Sequence, residues 1–266
     1  MTNEIAIGGV GEIELTADQL SQLIAAEMRA DESAHAYKFI PTRIAMPSGK
    51  PPYQFSDGET NFSEFSAVIA VGQMARAYFP SKDALGLPPV CSSNDGIVGR
   101  LTENISPGQK QAAMEQIVVH PGLRFGSNKP IACRDCPLAQ WGSGANGGQA
   151  CKDLRRLLLL VDGWSMPVIL TLPPTSIKNF DKFSSTRSMK KQGYFTCLVK
   201  FGLTDGSSKR GAKYPVVTIA KIDELDTMQQ ITVLNLRKQF AELVRTIEID
   251  ASDYSFSDDA QEDTPF

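Results

Sequence analysis

Residues 153–172 read DLRRLLLLVDGWSMPVILTL, and this stretch decides which fold the chain adopts. Its two apolar runs, Leu154–Val161 and Met166–Leu172, are separated by Asp162-Gly163, a pair typical of tight hairpin turns. The pattern therefore predicts two strands joined by a turn. The same interruption makes the stretch too short and too broken to cross a bilayer.

Regular patterns extend on both sides of this pair. We predict a strand before it (Phe65–Phe79), a helix after it (Ser176 to Gly193), a hairpin of two further strands (Tyr194–Thr204 and Lys213–Ile222) and a last helix with one apolar stripe (Val233, Leu236, Phe240, Leu243, Val244 and Ile247). Five or six strands with a helix before the final hairpin favour a mainly β fold with helices, an OB-like Greek-key barrel. An open α+β sheet would give a similar order of elements.

Composition predicts a basic body and an acidic tail. The 266 residues are 42% hydrophobic, enough to form a core, with 27 basic and 30 acidic side chains. Residues 248–266 hold seven acids and no base, so the rest carries 27 − 23, or +4. We divide the chain into an N-terminal helical segment (1–34), one domain (35–247) and a disordered acidic tail (248–266).

The cysteines point to a metal site. No signal peptide precedes the domain, so we expect a cytoplasmic protein with reduced thiols. Cys133 and Cys136 form a C-x2-C pair, Cys151 follows it and Cys91 precedes it. Two thiolates at this spacing can bind one face of a tetrahedral zinc ion, and two more complete the set. We predict a structural zinc ion on these four cysteines, within an insertion of about 81–152.

Two alternatives remain for the cysteines. His120 could replace Cys91 as a ligand, and all of these thiols could instead be structural residues scattered through the domain. Cys197, the fifth cysteine, lies among Phe195, Val199 and Phe201. We expect it in the hydrophobic core.

The last residues carry a resemblance. The chain ends DYSFSDDAQEDTPF, with acids at Asp258, Asp259, Glu262 and Asp263 and the terminal pair Pro265-Phe266. This ending resembles the acidic tip of bacterial single-stranded-DNA-binding proteins, with Thr264 where that family has Ile. The cysteine segment around Trp141 and Cys151-Lys152 also resembles phage-encoded proteins of this kind.

The resemblance implies sequence-independent binding of single-stranded DNA in DNA replication, recombination or repair, in a bacterial or phage-infected cytoplasm. The tail residues would bind partner proteins. Single-strand binding needs a cationic groove with aromatic platforms. The candidates are Arg155, Arg156, Lys178, Lys182, Arg187, Lys190, Lys191, Tyr194, Lys200, Lys209, Arg210, Lys213, Tyr214 and Trp141. Residues 155–213 hold eleven bases against three acids.

Enzyme motifs are missing from the sequence. It has no phosphate-binding P-loop, no HExxH pair and no GxSxG elbow, and its carboxylates form no recognisable nuclease cluster. We therefore expect a binding protein that is not an enzyme. The main alternative is a zinc-ribbon adaptor of a replication or transcription complex, and a metal-dependent nucleic-acid enzyme is a third interpretation.

Overall fold

The computed structural model describes residues 41–47, 51–79, 88–102, 130–144, 147–164, 166–208, 213–249 and a few single positions, Asp253 among them. Residues 1–40 and residues 41–266 form two separate units. Of the predicted N-terminal helix only Gln22 and Ala26 are described, and both are helical and exposed. The rest of that helix lies outside the described residues.

The second unit is mainly β, as predicted. Its strands are β1 (Arg43–Ile44), β2 (Phe55–Ser56), β3 (Asn61–Phe62), β4 (Glu64–Tyr78), β5 (Cys91–Ser93), β6 (Val98–Leu101), β7 (Ile131–Ala132), β8 (Cys151–Val161), β9 (Val168–Leu172), β10 (Cys197–Ser207) and β11 (Lys213–Glu224). Its two long helices are α1 (Pro174–Met189) and α2 (Thr227–Thr246). One predicted strand start is wrong, because Tyr194–Thr196 form a 3-10 turn ahead of β10.

Strand β4 is the centre of the sheet. Along one edge it pairs with β8, from Ala67 opposite Val161 to Tyr78 opposite Cys151. Its other edge is shared, because β10 pairs with its first five residues and β5 with its last three residues. A strand of 15 residues is long enough to pair with two different strands along one edge. The sheet therefore divides at β4 into two parts.

Helix α1 lies against both β8 and β11. The Ser176 hydroxyl accepts a hydrogen bond from the Val217 N–H (2.9 Å), and the Asn179 amide donates to the Val217 carbonyl (2.7 Å). These bonds satisfy main-chain groups on the outer edge of β11, which a neighbouring strand would otherwise pair. No pairing of β9 with β11 occurs among the described residues, so the structure shows a large mixed sheet without showing a closed barrel.

The main core lies between α1 and the sheet. Fully buried apolar side chains from β8, β9 and β10 meet there, including Leu157, Leu170 and Phe201. Phe180 of α1 packs so closely on β4 that a Cβ on Gly72 would lie 2.7 Å from its ring. Glycine at position 72 is therefore what lets helix and sheet approach.

The cysteine-rich segment differs from the prediction in one respect. It was predicted to be an insertion of about 81–152, but β5 joins the main sheet beside β4, and β6 and β7 extend that sheet. A small core of its own contains Tyr78, Val90 and Leu138, each at most 2% exposed. Residues 103–129 are undescribed apart from three single positions, so His120 lies outside the described residues.

Helix α2 begins at a capping box and packs by its predicted stripe. The Asp226 carboxylate accepts the Gln229 N–H, and the Gln229 side chain accepts the Asp226 N–H. Val233 and Val244 are buried against the sheet, and Phe240 and Leu243 pack beside them. The stripe is therefore confirmed as the face that holds α2 on β4 and β8.

Arg156 of β8 is fully buried at the end of α2. Its guanidinium donates to the carbonyls of Val244 (3.2 Å) and Ile247 (2.7 Å), which are left open where the helix ends. Asp253 lies 4.0 Å from this guanidinium and 3.3 Å from that of Arg43, and it accepts a hydrogen bond from Thr171 (2.7 Å). Burial lowers the pKa of Arg156, and Asp253 opposes that effect.

This arrangement corrects the predicted start of the tail. The disordered tail was expected from residue 248, but Ile249 is buried against Ala75, Ala77 and Leu154, and Asp253 is 6% exposed. The acidic composition alone gave no sign that one of these acids is the counter-ion of a buried arginine. Residues 254–266 lie outside the described residues.

We expect Asp253→Asn to lower the free energy of unfolding by about 3–5 kcal/mol, because it leaves the buried charge of Arg156 uncompensated. Denaturant unfolding at neutral pH measures this change. Glu242→Gln is the matched control, since the Glu242–Arg245 pair is exposed and its loss costs less than about 1 kcal/mol. Equal stability of the two variants would contradict the role assigned to Asp253.

Candidate nucleic-acid interface and cysteine cluster

The fold brings the four predicted cysteine ligands into one region. Cys91 and Cys151 flank Tyr78 from opposite edges of β4, because both pair with it in the sheet. Cys133 begins a 3-10 turn directly after β7 (Cys133–Asp135), and Cys136 lies between that turn and a second one (Pro137–Ala139). A Cβ on Gly99 would lie 3.1 Å from the Cys91 sulfur and 3.5 Å from the Cys133 sulfur. A larger residue at position 99 would crowd the Cys91 sulfur, and the Cys133 sulfur would lie at ordinary contact distance from it.

Neighbouring thiols contribute to the pKa values of Cys91 and Cys151. Burial, together with smaller contributions from the neighbouring Cys133 and Cys136, raises the pKa of Cys91 to about 12. Burial likewise raises the pKa of Cys151, with smaller contributions from the other three. Within the described residues, however, no three Cys, His, Asp or Glu side chains are arranged to hold a metal ion. The sulfurs are thus neighbours, and their binding of zinc stays a prediction.

Cys197 lies apart from this cluster. It is fully buried with Val199 and Phe201 in the main core, as predicted.

Trp141 lies in the loop after the second 3-10 turn and is 56% exposed, so its ring has an accessible surface for stacking.

Two predicted DNA contacts are buried and are not available to a nucleic acid. Arg156 is fully enclosed, as described above. Arg187 of α1 is 5% exposed and donates two hydrogen bonds to the Glu224 carboxylate, at 2.5 and 2.7 Å. It also donates to the Thr196 hydroxyl (2.8 Å), so it joins α1 to the end of β11 and to the turn before β10. We remove both arginines from the predicted interface.

The two predicted tyrosine platforms are used in packing. The Tyr194 hydroxyl accepts hydrogen bonds from the Gly72 N–H (3.1 Å) and from Arg237 of α2 (2.8 Å). The Arg237 guanidinium also lies 5.3 Å from the centre of the Tyr194 ring. The Tyr214 ring covers Gly206 on the opposite strand, where any Cβ would collide with it. Sequence reasoning missed Arg237, which fixes α2 to the 3-10 turn.

Three further predicted cations are already paired with acids. Arg155 contacts Asp181 (2.9 Å), Lys200 contacts Glu64 (2.7 Å) and Lys213 contacts Asp205 (2.8 Å). The last two pairs are at least 42% exposed on both sides and contribute little to stability, so a phosphate could displace either acid. Lys209 and Arg210, predicted at the hairpin tip, lie outside the described residues.

The remaining predicted cations lie on α1 and directly after it. Lys178, Lys182, Lys190 and Lys191 are all exposed, and no ion pair joins them to the described part of the chain. Lys191 has a φ of 57°, which turns the chain sharply where α1 ends. The structure therefore concentrates accessible positive charge along one helix.

The predicted partner-binding residues lie outside the described residues; they are Asp258, Asp259, Glu262, Asp263, Pro265 and Phe266.

Comparison with protein-family models, with curated proteins and with solved structures finds no match for this chain. In the part of the chain that is described, no helix is both long and apolar enough to span a membrane.

We expect Glu224→Gln to lower the melting temperature by a few degrees at pH 7, because it removes the carboxylate that Arg187 binds. Hydrogen bonds from Arg187 lower the pKa of Glu224 from its ordinary 4.5 to about 2. The stabilisation from this lowered pKa is complete above pH 4.5 and is lost as the pH falls through about 2.

Thermal unfolding of the protein and of Glu224→Gln between pH 7 and pH 2 tests this dependence. The difference between the two should shrink as the pH falls below 4.5. Glu64→Gln serves as the control, since the Glu64–Lys200 pair is exposed. A difference for Glu224→Gln that stays constant down to pH 2 would contradict the mechanism.

Proposed function

We propose that this protein binds single-stranded DNA without sequence preference, in DNA replication, recombination or repair. The observation that carries the proposal is the row of exposed lysines on α1 and directly after it, Lys178, Lys182, Lys190 and Lys191, with no ion pair to the described residues. Accessible cations without acidic partners bind phosphates by releasing counter-ions. Trp141, 56% exposed, supplies an aromatic surface on which a base could stack.

The order of the strands supports an OB-like core. Strands β4, β8, β9, β10 and β11 are five strands in which α1 precedes the final hairpin, and β4 contacts both neighbouring parts of the sheet. An OB fold is a five-stranded, partly open Greek-key barrel. We infer that α1 bridges the opening between β9 and β11, because its side chains bond the outer edge of β11 at Val217.

We further propose that Cys91, Cys133, Cys136 and Cys151 hold a structural zinc ion. Their donor set and the glycine at position 99, which gives two of the sulfurs room, fit that ion. Four thiolates fill a tetrahedral sphere, so zinc bound there would hold β5, β6 and β7 in place and take no part in chemistry. The acidic tail, in this proposal, recruits partner proteins, and the protein acts in the cytoplasm as a binding protein, not as an enzyme.

Fluorescence anisotropy with a labelled oligo-dT and a matched duplex tests the DNA-binding proposal. We expect tight, salt-dependent binding to oligo-dT and weak binding to the duplex. Lys190→Glu should weaken binding on the order of tenfold and lower the salt slope by about 1, because it removes one phosphate contact.

Lys238→Glu is the matched control for this experiment. Lys238 is an exposed lysine of α2 that has no part in the proposed interface, so its reversal should change affinity by less than about twofold. Absence of binding to either DNA would overturn the proposal and favour the zinc-ribbon adaptor. A preference for duplex would overturn it as well.

Elemental analysis of purified protein tests the zinc proposal. We expect one zinc ion per chain, which Cys133→Ser or Cys151→Ser should remove, since three thiolates bind zinc much more weakly than four. Cys197→Ser is the matched control, because Cys197 is a buried thiol of the main core, and it should keep its zinc. Equal zinc in all three variants, or none in the unaltered protein, would show that the site is wrong.

A further inference from the structure

A cavity of about 790 Å³ opens between the β5–β6 hairpin and the end of α2. Its walls include Ser92, Asn94 and Arg100 on the hairpin and Arg245 and Glu248 at the helix end. Ligand sites commonly have volumes of roughly 300–1,000 Å³. None of the sequence predictions placed a ligand here.

The hairpin has two functional faces because side chains alternate along a strand. Cys91, Ser93 and Gly99 face the cysteine cluster, where Gly99 leaves room for the Cys91 and Cys133 sulfurs. Ser92 and Arg100, which are directly opposite each other in the sheet, face the cavity. The element that the cysteines hold in place is therefore also one wall of the cavity.

The opposite wall is held by the buried arginine. Arg156 fixes the last carbonyls of α2 at Val244 and Ile247, which sets the position of Arg245 and Glu248 beside them. The Asn94 side-chain amide donates to the Arg245 carbonyl (3.0 Å) and joins the two walls. Both walls are thus fixed before any ligand binds, which lowers the entropic cost of binding.

The charges on the walls differ in how accessible they are. Arg100 is exposed and has no ion pair with the described part of the chain. Arg245 is paired with Glu242 at 2.7 Å. Asp95, which also lines the cavity, uses one carboxylate oxygen to accept the N–H groups of Ile97 and Val98 and the Ser93 hydroxyl. Arg100 is therefore the positive charge most available to a ligand in this cavity.

We propose that this cavity holds one nucleotide of the bound single strand, with its phosphate on Arg100. A nucleobase edge carries both donors and acceptors, which suits walls that offer hydroxyl, amide and carboxylate groups. The cavity also favours an unpaired nucleotide, since a base inside a duplex cannot enter it. This inference rests on the proposed function.

Two variants test the inference by different routes, both measured by anisotropy with labelled oligo-dT at several salt concentrations. Arg100→Ala removes the cation. Ser92→Glu places a carboxylate directly opposite Arg100 and neutralises it without removing it. We expect each to weaken binding by about five- to tenfold and to lower the salt slope by about 1.

Matched controls are Lys238→Ala and Gln239→Glu, which make the same charge changes on the exposed side of α2, at positions that do not line the cavity. Each should change affinity by less than about twofold. Circular dichroism and zinc content of Ser92→Glu, which keeps every core side chain, confirm that the comparison concerns folded protein.

The two proposals fail in different ways. If the unaltered protein does not bind oligo-dT, the proposed function itself is overturned. If the unaltered protein binds oligo-dT but both cavity variants bind as tightly as their controls, the cavity does not hold a nucleotide, whether it is empty or takes a peptide. Weaker binding by Arg100→Ala and Ser92→Glu together, with unchanged controls, supports the inference.

Discussion

A full positive charge in the interior of the domain is the constraint on which the arrangement around α2 depends. Burying the Arg156 guanidinium is unfavourable unless partners replace water. The helix supplies its open C-terminal carbonyls, where the helix dipole is negative, and Asp253 supplies a counter-charge. Each partner comes from a different part of the chain. The charge of Arg156 therefore joins β8, α2 and the start of the acidic segment into one structure, and Arg43 adds β1 by its contact with Asp253.

A second group of contacts lies at the start of β8. Cys151 begins this strand and lies beside Tyr78 and, across β4, Cys91. One strand thus carries the cysteine cluster at its start and the buried arginine five residues later. The β5–β6 hairpin lies beside the first, and the end of α2 is bound by the second. This is why a cavity with two fixed walls can form between elements that are far apart in sequence, although only one direct hydrogen bond, from Asn94 to the Arg245 carbonyl, joins them.

The sequence predicted the elements well where one periodicity was sustained. The apolar stripe of α2 is confirmed because burial of one helix face is what produces such a pattern. The sequence-based prediction failed where one residue type can either pack in the interior or stay accessible at the surface. Arg155 and Arg156 are adjacent and equally charged, yet side chains on a strand alternate, so only Arg156 enters the interior. Nothing in the local sequence says which of the two finds Asp253, 97 positions further on in the chain. The C-x2-C pair did indicate where the cysteines gather, since its spacing has few other uses in a reduced protein.

Because some basic side chains are buried or paired with acids, the number of bases in the sequence is larger than the number that is available for binding. Residues 155–213 hold eleven bases and three acids, but two of the arginines hold the fold together and three cations already contact acids. Among the described, exposed cations that have no ion pair with the described residues, the four lysines of the α1 segment and Arg100 are assigned to the proposed interface, whereas Arg134 and Lys238 are not. If the five cations contact phosphates as proposed, each contact on a single strand adds about −0.7 to the salt slope, and five contacts give about −3.5. A slope much steeper than this would indicate that further cations take part, such as Lys200 and Lys213 after leaving their acids, the undescribed Lys209 and Arg210, or the exposed Arg134 and Lys238. The salt dependence of binding therefore distinguishes basic residues that contact the ligand from basic residues that are engaged in contacts within the protein.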